Sequence, residues 1–464
     1  MTPQFSADKT AKRNVRLFMA FRILFNIRFY YPVFMVMFLR YGITLEQFGL
    51  LNAVWAVVIV LLEVPSGALA DLLGRKALLV AAAIMMTLEM LLLAVVPIGS
   101  SWIFPALLLN RILSGAAEAF ASGADEALAF DSLKAAGKDG DWPRVLERLM
   151  QVGGLATIFA MITGSLVYSP DLIQAVTHWT GSSWQFTLDD TFRLPVWLTL
   201  FSGCGAILVT LSMRELPRAH SEKSITLLDP FKQTLQTGRW ILTNPLVLVV
   251  IAAGVLFDQP IRQLLVVSSQ LYARIQIPVL YFGIISAGTA VIGLLAAAPM
   301  RRLATSQSPR TNFLLLFGTV TVGLVGTALL IPWWGVAFFM LLSLSMRLLM
   351  FLQSHYLNQL VDSKHRATVL SFRGLAVNVS YGFMSIAFAV AVTAVEKADP
   401  TTTQTAAFDW VVRLLPWYFL LAALGFVAWA RQRVRYDPRI RTADGFTPPT
   451  DSSSDTRTPS PPSV

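Results

Sequence analysis

The chain has 464 residues, of which 55% are hydrophobic and only 14% charged. Soluble domains carry roughly 25% charged residues, so this composition excludes an ordinary water-soluble protein and implies walls that face lipid. The net charge of +10 would suit a nucleic-acid partner, but the basic residues sit between apolar stretches, where they set orientation in a membrane.

A helix crosses a bilayer core with about 20 largely apolar residues. Twelve such stretches occur in order: 17–39, 48–69, 77–97, 102–128, 148–169, 194–213, 244–270, 279–299, 312–331, 334–355, 367–394 and 411–430. The first is too long for a cleavable signal and lacks a small-residue cleavage site, so it reads as a retained helix. The seventh is interrupted by Asp258, Pro260 and Arg262. With an even number of crossings, both ends lie on one side. That side collects most of the Lys and Arg, among them Arg13, Arg16, Arg75, Lys76, Lys134, Arg214, Arg301, Arg302 and Arg435. The other side has only Arg40, Arg193, Arg274 and Lys397. Both termini are therefore expected in the cytoplasm of a multi-pass protein of the plasma (inner) membrane.

The predicted organisation is an all-α polytopic protein. It comprises a cytoplasmic N-terminus (1–16), a six-helix bundle (17–213), a cytoplasmic linker (214–239), a second six-helix bundle (240–431) and a tail (432–464). The tail is rich in Pro, Ser and Thr and is expected to be disordered. The halves carry traces of a repeat. Gly67, Leu69, Ala70, Arg75 and Lys76 after helix two align without gaps with Gly293, Leu295, Ala296, Arg301 and Arg302 after helix eight. Leu128–Ser132 likewise matches Gln359–Ser363.

The segment Gly67–Lys76 reads GALADLLGRK. It resembles the signature between helices two and three of the major facilitator superfamily, matching at Gly67, Leu69, Ala70, Asp71, Gly74, Arg75 and Lys76. It departs at Leu72, where a basic residue is usual. Glu63–Gly67, Arg111–Gly115 and Arg366–Ser371 are similar to further family segments, in the same order along the chain. The Gly-Pro pair that many proton-antiporting exporters carry in helix five is absent. The resemblance implies two pseudo-symmetric bundles, twelve transmembrane helices and transport by alternating access. It also implies a cytoplasmic gate of Gly67, Asp71, Gly74, Arg75 and Lys76, with Asp131 as partner of Arg75 and with Asp125 and Glu126 competing for that place. Glu118 is grouped with this gate.

Charges inside a bilayer cost roughly 2.5–3.5 kcal/mol each at mid-helix, so they mark pathways or pairs. The substrate or ion pathway is predicted to use Arg22, Asn26, Glu63, Arg111, Asp258, Arg262, Gln263 and Arg347, with Arg111 and Arg347 in a central cavity. Arg22 and Asn26, four apart, share a helix face. Competing structural readings pair Arg22 with Glu63, Glu89 with Arg111, and Asp258 with Arg262, and give Tyr30 and Tyr31 a packing role. Asp258 or Glu63 is the expected carrier of a coupling proton. The arginines lean towards an anionic small-molecule substrate.

No cofactor, metal or nucleic acid is expected, and the chain is expected to act as a monomer in lipid. A single cysteine, Cys204, excludes an intrachain disulfide, and the four histidines are scattered. No nucleophile or phosphate-loop motif supports a membrane enzyme. A facilitative uniporter, or a transporter-like sensor without flux, remains the alternative.

Overall fold

The computed structural model describes residues 3–179, 184–215, 229–361, 363–399 and 401–435. The tail expected to be disordered, and residues 216–228 of the linker, lie outside the described residues. The described chain is helical without strands. It has twelve helices apolar and long enough to cross a membrane. We label these spans α1 (Asp8–Arg40), α2 (Leu45–Gly67), α3 (Arg75–Val95), α4 (Ile103–Ala135), α5 (Asp139–Tyr168) and α6 (Leu188–Ser212). The second set is α7 (Pro245–Val266), α8 (Val279–Ser306), α9 (Pro309–Ala328), α10 (Gly335–Leu360), α11 (Val369–Ala398) and α12 (Gln404–Arg433).

Local chemistry explains the irregularities. Within α1 the helix ends at Asn26 and resumes at Phe34, because Pro32 has no N–H to continue the ladder. Within α4 it breaks at Gly123, whose φ of +75° suits glycine. The fourth span consequently runs past its expected end to Ala135. Thr44 and Gln47 form a capping box that starts α2. The end of the linker is helical, in a helix Asp229–Leu242 that continues into the start of the second bundle.

Packing repeats between the halves. α1 packs on α4, α5 and α6, and α3 packs on α4 and α6. The equivalent contacts recur as α7 with α10 and α12, and α9 with α10 and α12. The halves meet chiefly through α2 with α11 and α5 with α8. Exchanging helices one to six with seven to twelve turns the first pair into the second, which is the expected two-fold relation.

These interfaces are tightest at one end of the bundle. The Ser269 hydroxyl accepts from the N–H groups of Met35 and Val36 at 3.0 and 3.2 Å. Ser165 donates to the Leu280 carbonyl, and Ser385 to that of Gly49. Gly164 and Gly283 let backbones touch there: a Cβ on the first would collide with the Phe29 carbonyl, and on the second with the Met161 carbonyl. We call this the closed end. Arg75 stands at the opposite end.

Candidate functional site

Two cavities lie between the halves and share Tyr31 and Trp55 in their walls. The first, of about 490 Å³, has an aromatic and thioether wall of Tyr30, Phe34, Tyr381, Met346 and Met350, with Arg111 and Arg262 as its cations. The second, of about 390 Å³, adds Asn26, Arg28, Glu63, Glu118 and Asn378, and extends towards the Arg75 end. Both sizes fall within the usual range for small-molecule sites, roughly 300–1,000 Å³.

Arg111 is 5% exposed. Its Nε donates to Asn110 Oδ1 at 2.9 Å, and its guanidinium lies 5.4 and 5.2 Å from the ring centres of Phe34 and Phe38. Among the described residues it forms no ion pair, and its buried Nη2 has no hydrogen-bond partner. The ring contacts offset part of the desolvation of this cation, with about 2 kcal/mol at a dry site. A buried charge is normally paired as well.

The neighbouring charges are paired. Arg28 binds Glu89, and both are buried. This corrects the expected Glu89–Arg111 pair: α3 brings Glu89 to the break in α1, and Arg28 reaches it first. Asn110, beside Arg111, donates to the Glu89 carbonyl at 2.8 Å. Arg22 pairs with Asp125 at 3.2 Å and Glu126 at 3.0 Å, not with Glu63. The Gly123 break turns those two acids towards α1.

On α7, Arg262 binds Asp258 at 2.7 Å and donates to Asn378 Oδ1 at 3.2 Å, lying over the Tyr381 ring. Asp258 Oδ2 is buried without a partner among the described residues. Gln263 is buried, and its Oε1 likewise has no partner among the described residues. Arg347 is exposed and lies against Gly293 of α8. Neither Gln263 nor Arg347 lines the two cavities.

Glu63 and Glu118 both line the second cavity, and neither has an ion-pair partner among the described residues. Glu118 therefore faces the cavity rather than the gate to which it was assigned. Tyr31, expected to pack, is 48% exposed and lines both cavities. Glu118, Trp55, Tyr381 and Arg28 were missed as cavity residues. For Glu118 the signal was present, since it lies seven residues, about two turns, after Arg111.

At the Arg75 end, Gly74 breaks the chain between α2 and α3 with φ +108°, which favours glycine. Arg75 pairs with Asp131 of α4. The backbone N–H of Lys76 donates to Glu215 at 2.8 Å, placing a carboxylate at the start of α3, where the helix dipole favours it. Gly67 is exposed, with open space where a Cβ would stand. Asp71 stands late in the helix Leu45–Leu73, which runs on past the end of span α2, and its side chain is outside the described residues.

A family model, the Major Facilitator Superfamily, matches residues 17–385. The chain belongs to this superfamily and is a multi-pass integral membrane protein of transporter fold. The chain is similar in structure to the nucleoside transporter NupG (TM-score 0.70, 13% identity, covering 92% of this chain and 100% of the other). It is also similar to a bacterial homologue of the human lysosomal transporter Spinster in an inward-facing, unoccupied conformation. There the TM-score is 0.66 and the identity 16%, with 94% of this chain and 100% of the other covered. A D-xylose–proton symporter aligns at TM-score 0.57 and 15% identity, over 91% and 97% of the two chains. No curated protein sequence matches the chain.

Proposed function

We propose that the protein is a secondary active transporter of a small organic anion with an apolar or aromatic body, coupled to protons. Arg111 carries this reading: it is a buried cation in the wall of the inter-bundle cavity with no carboxylate partner among the described residues. A guanidinium presents a planar fork that matches a carboxylate in a bidentate pair. The substrate would supply the missing charge, and Tyr30, Tyr31, Phe34 and Trp55 would enclose its body. Glu63 and Glu118 are the proton carriers of this scheme, because Asp258 already answers Arg262. The cavity is shut at the closed end, where Ser269 ties to α1, and opens there by rocking of the halves; the Arg75–Asp131 pair braces α3 to α4 within the first bundle as it moves. The basic side is cytoplasmic and holds both termini.

The test uses liposomes loaded with a pH-sensitive dye and containing the purified chain. Aromatic and aliphatic monocarboxylates are offered beside their neutral amides. Carboxylates, and not amides, should be taken up with acidification of the lumen, beyond that seen in protein-free liposomes. Arg111→Gln should lower kcat/KM by about 10- to 100-fold, the worth of a hydrogen bond to a charged group. Arg111→Lys should recover only part of that. Glu63→Gln or Glu118→Gln should abolish the pH change. Equal uptake of amides and carboxylates, indifferent to Arg111→Gln, would sink the anion reading. Anion uptake without any pH change would leave facilitative uniport.

A further inference from the structure

A lipid-facing groove of about 780 Å³ lies outside the transport path, on the outside of the second bundle between α7, α9 and α12. Its floor is Ala253 and Phe257 of α7, both buried. Phe313 and Phe317 of α9 form one wall, and Leu424 and Val427 of α12 the other. Leu424 is 70% exposed and Val427 43%, so the groove opens away from the protein.

The pattern along each wall is the same. On α9, Arg310 is followed by Phe313, Leu314 and Phe317, a single helix face. On α12, Leu420, Leu424, Val427 and Arg431 share a face in the same way. Each wall is thus an apolar stripe ending in one arginine. Both arginines fall at the Arg75 end, since α9 begins there and α12 finishes there. Among the described residues neither has an ion-pair or hydrogen-bond partner. Arg310 also stands in the first turn of α9, where the helix dipole disfavours a cation, so helix stability does not explain it.

We propose that this groove binds an anionic phospholipid, its phosphate between Arg310 and Arg431 and an acyl chain along the aromatic walls. Length supports a lipid over a free anion. The stripe from Leu420 to Arg431 rises about 16 Å, close to half of a ~30 Å hydrocarbon core, the depth of one leaflet. Charge supports an anionic lipid over a neutral one. The arginines lie on the side that the charge pattern marks as cytoplasmic, where anionic lipids attract basic residues by roughly fivefold in affinity for each.

Native mass spectrometry of the purified full chain, titrated with dioleoylphosphatidylglycerol or dioleoylphosphatidylcholine, tests this. The tightest-bound lipid should favour phosphatidylglycerol by roughly 25-fold, the product of two such fivefold factors. The double variant Arg310→Gln/Arg431→Gln should lose that preference. Arg301→Gln/Arg302→Gln, at the same end but outside the groove, should keep it. Val427→Trp, which fills the rim without touching either charge, should weaken binding of both lipids. An undiminished preference in the Arg310/Arg431 variant overturns the proposal. Displacement of the lipid by millimolar inorganic phosphate alone also overturns it, as does a lipid-free dimer broken by Val427→Trp.

Discussion

Arg28 and Glu89 are held in a bilayer interior by each other. Their side chains are 4% and 0% exposed, and Glu89 Oε2 has no partner of its own among the described residues. Removing one member of such a pair costs about 3–5 kcal/mol, because the other charge stays buried. Glu89→Gln should therefore sharply lower the thermal midpoint of the purified protein. The apolar double variant Arg28→Met/Glu89→Leu should recover most of that loss, since no orphaned charge remains. A double variant as unstable as the single would show that the pair itself, rather than charge balance, holds α1 to α3. Arg111 makes a contrasting case. It lives with two phenylalanine rings and an asparagine, so its replacement should alter transport far more than folding.

At the scale of elements, glycines divide by what surrounds them. On α5, Gly164 touches the backbone of Phe29 where α1 is broken, while Gly153 and Gly154, two turns or more away, have open space around them. Overpacking costs about 1–3 kcal/mol, and more where the obstacle is backbone that cannot rotate away. Replacing a helical glycine by alanine at an open site gains about 0.5–1 kcal/mol. Gly164→Ala should consequently reduce folded yield and melting temperature, and Gly154→Ala should match or exceed the parent. Equal behaviour of the two variants would mean that the α1–α5 contact is looser than drawn. The break in α1 has the same architectural role. It frees the stretch Asn26–Val33 from a regular helix, which lets Arg28 turn to α3 while Tyr31 faces the cavity.

For the molecule as a whole, the halves are joined firmly at the closed end and enclose their cavity from mid-depth towards Arg75. The Ser269 hydroxyl bonding to two backbone N–H groups of α1 is a direct tie between the halves. If alternating access requires this tie to open, a covalent bond in its place should stop transport. In a background with Cys204, which is exposed, changed to Ser, Val36→Cys/Ser269→Cys should cross-link under oxidation. The cross-linked protein should lose flux, and reduction should restore it. Undiminished flux in fully cross-linked protein would remove the rocking scheme, leaving the anion site itself untouched.

Several features were legible in the residues because their causes are local. Crossing a bilayer depends on about 20 successive side chains, so the twelve spans and the helical class follow from the chain alone. The Asp258–Arg262 pair lies on one helix face four residues apart, and Gly67–Lys76 is a contiguous motif. Only the tertiary structure could choose among partners far apart in sequence. Arg28 and Glu89 are separated by 61 positions, and Arg22 and Glu126 by 104. Several acids lie at similar depth, and depth is all that a linear reading supplies. Rotation about each helix axis decides the rest: it leaves Arg111 without an ion pair among the described residues, turns Glu118 into the cavity, sets Arg347 against α8, and places Arg310 and Arg431 on one groove. That rotation is fixed by packing against neighbours, which no single helix encodes.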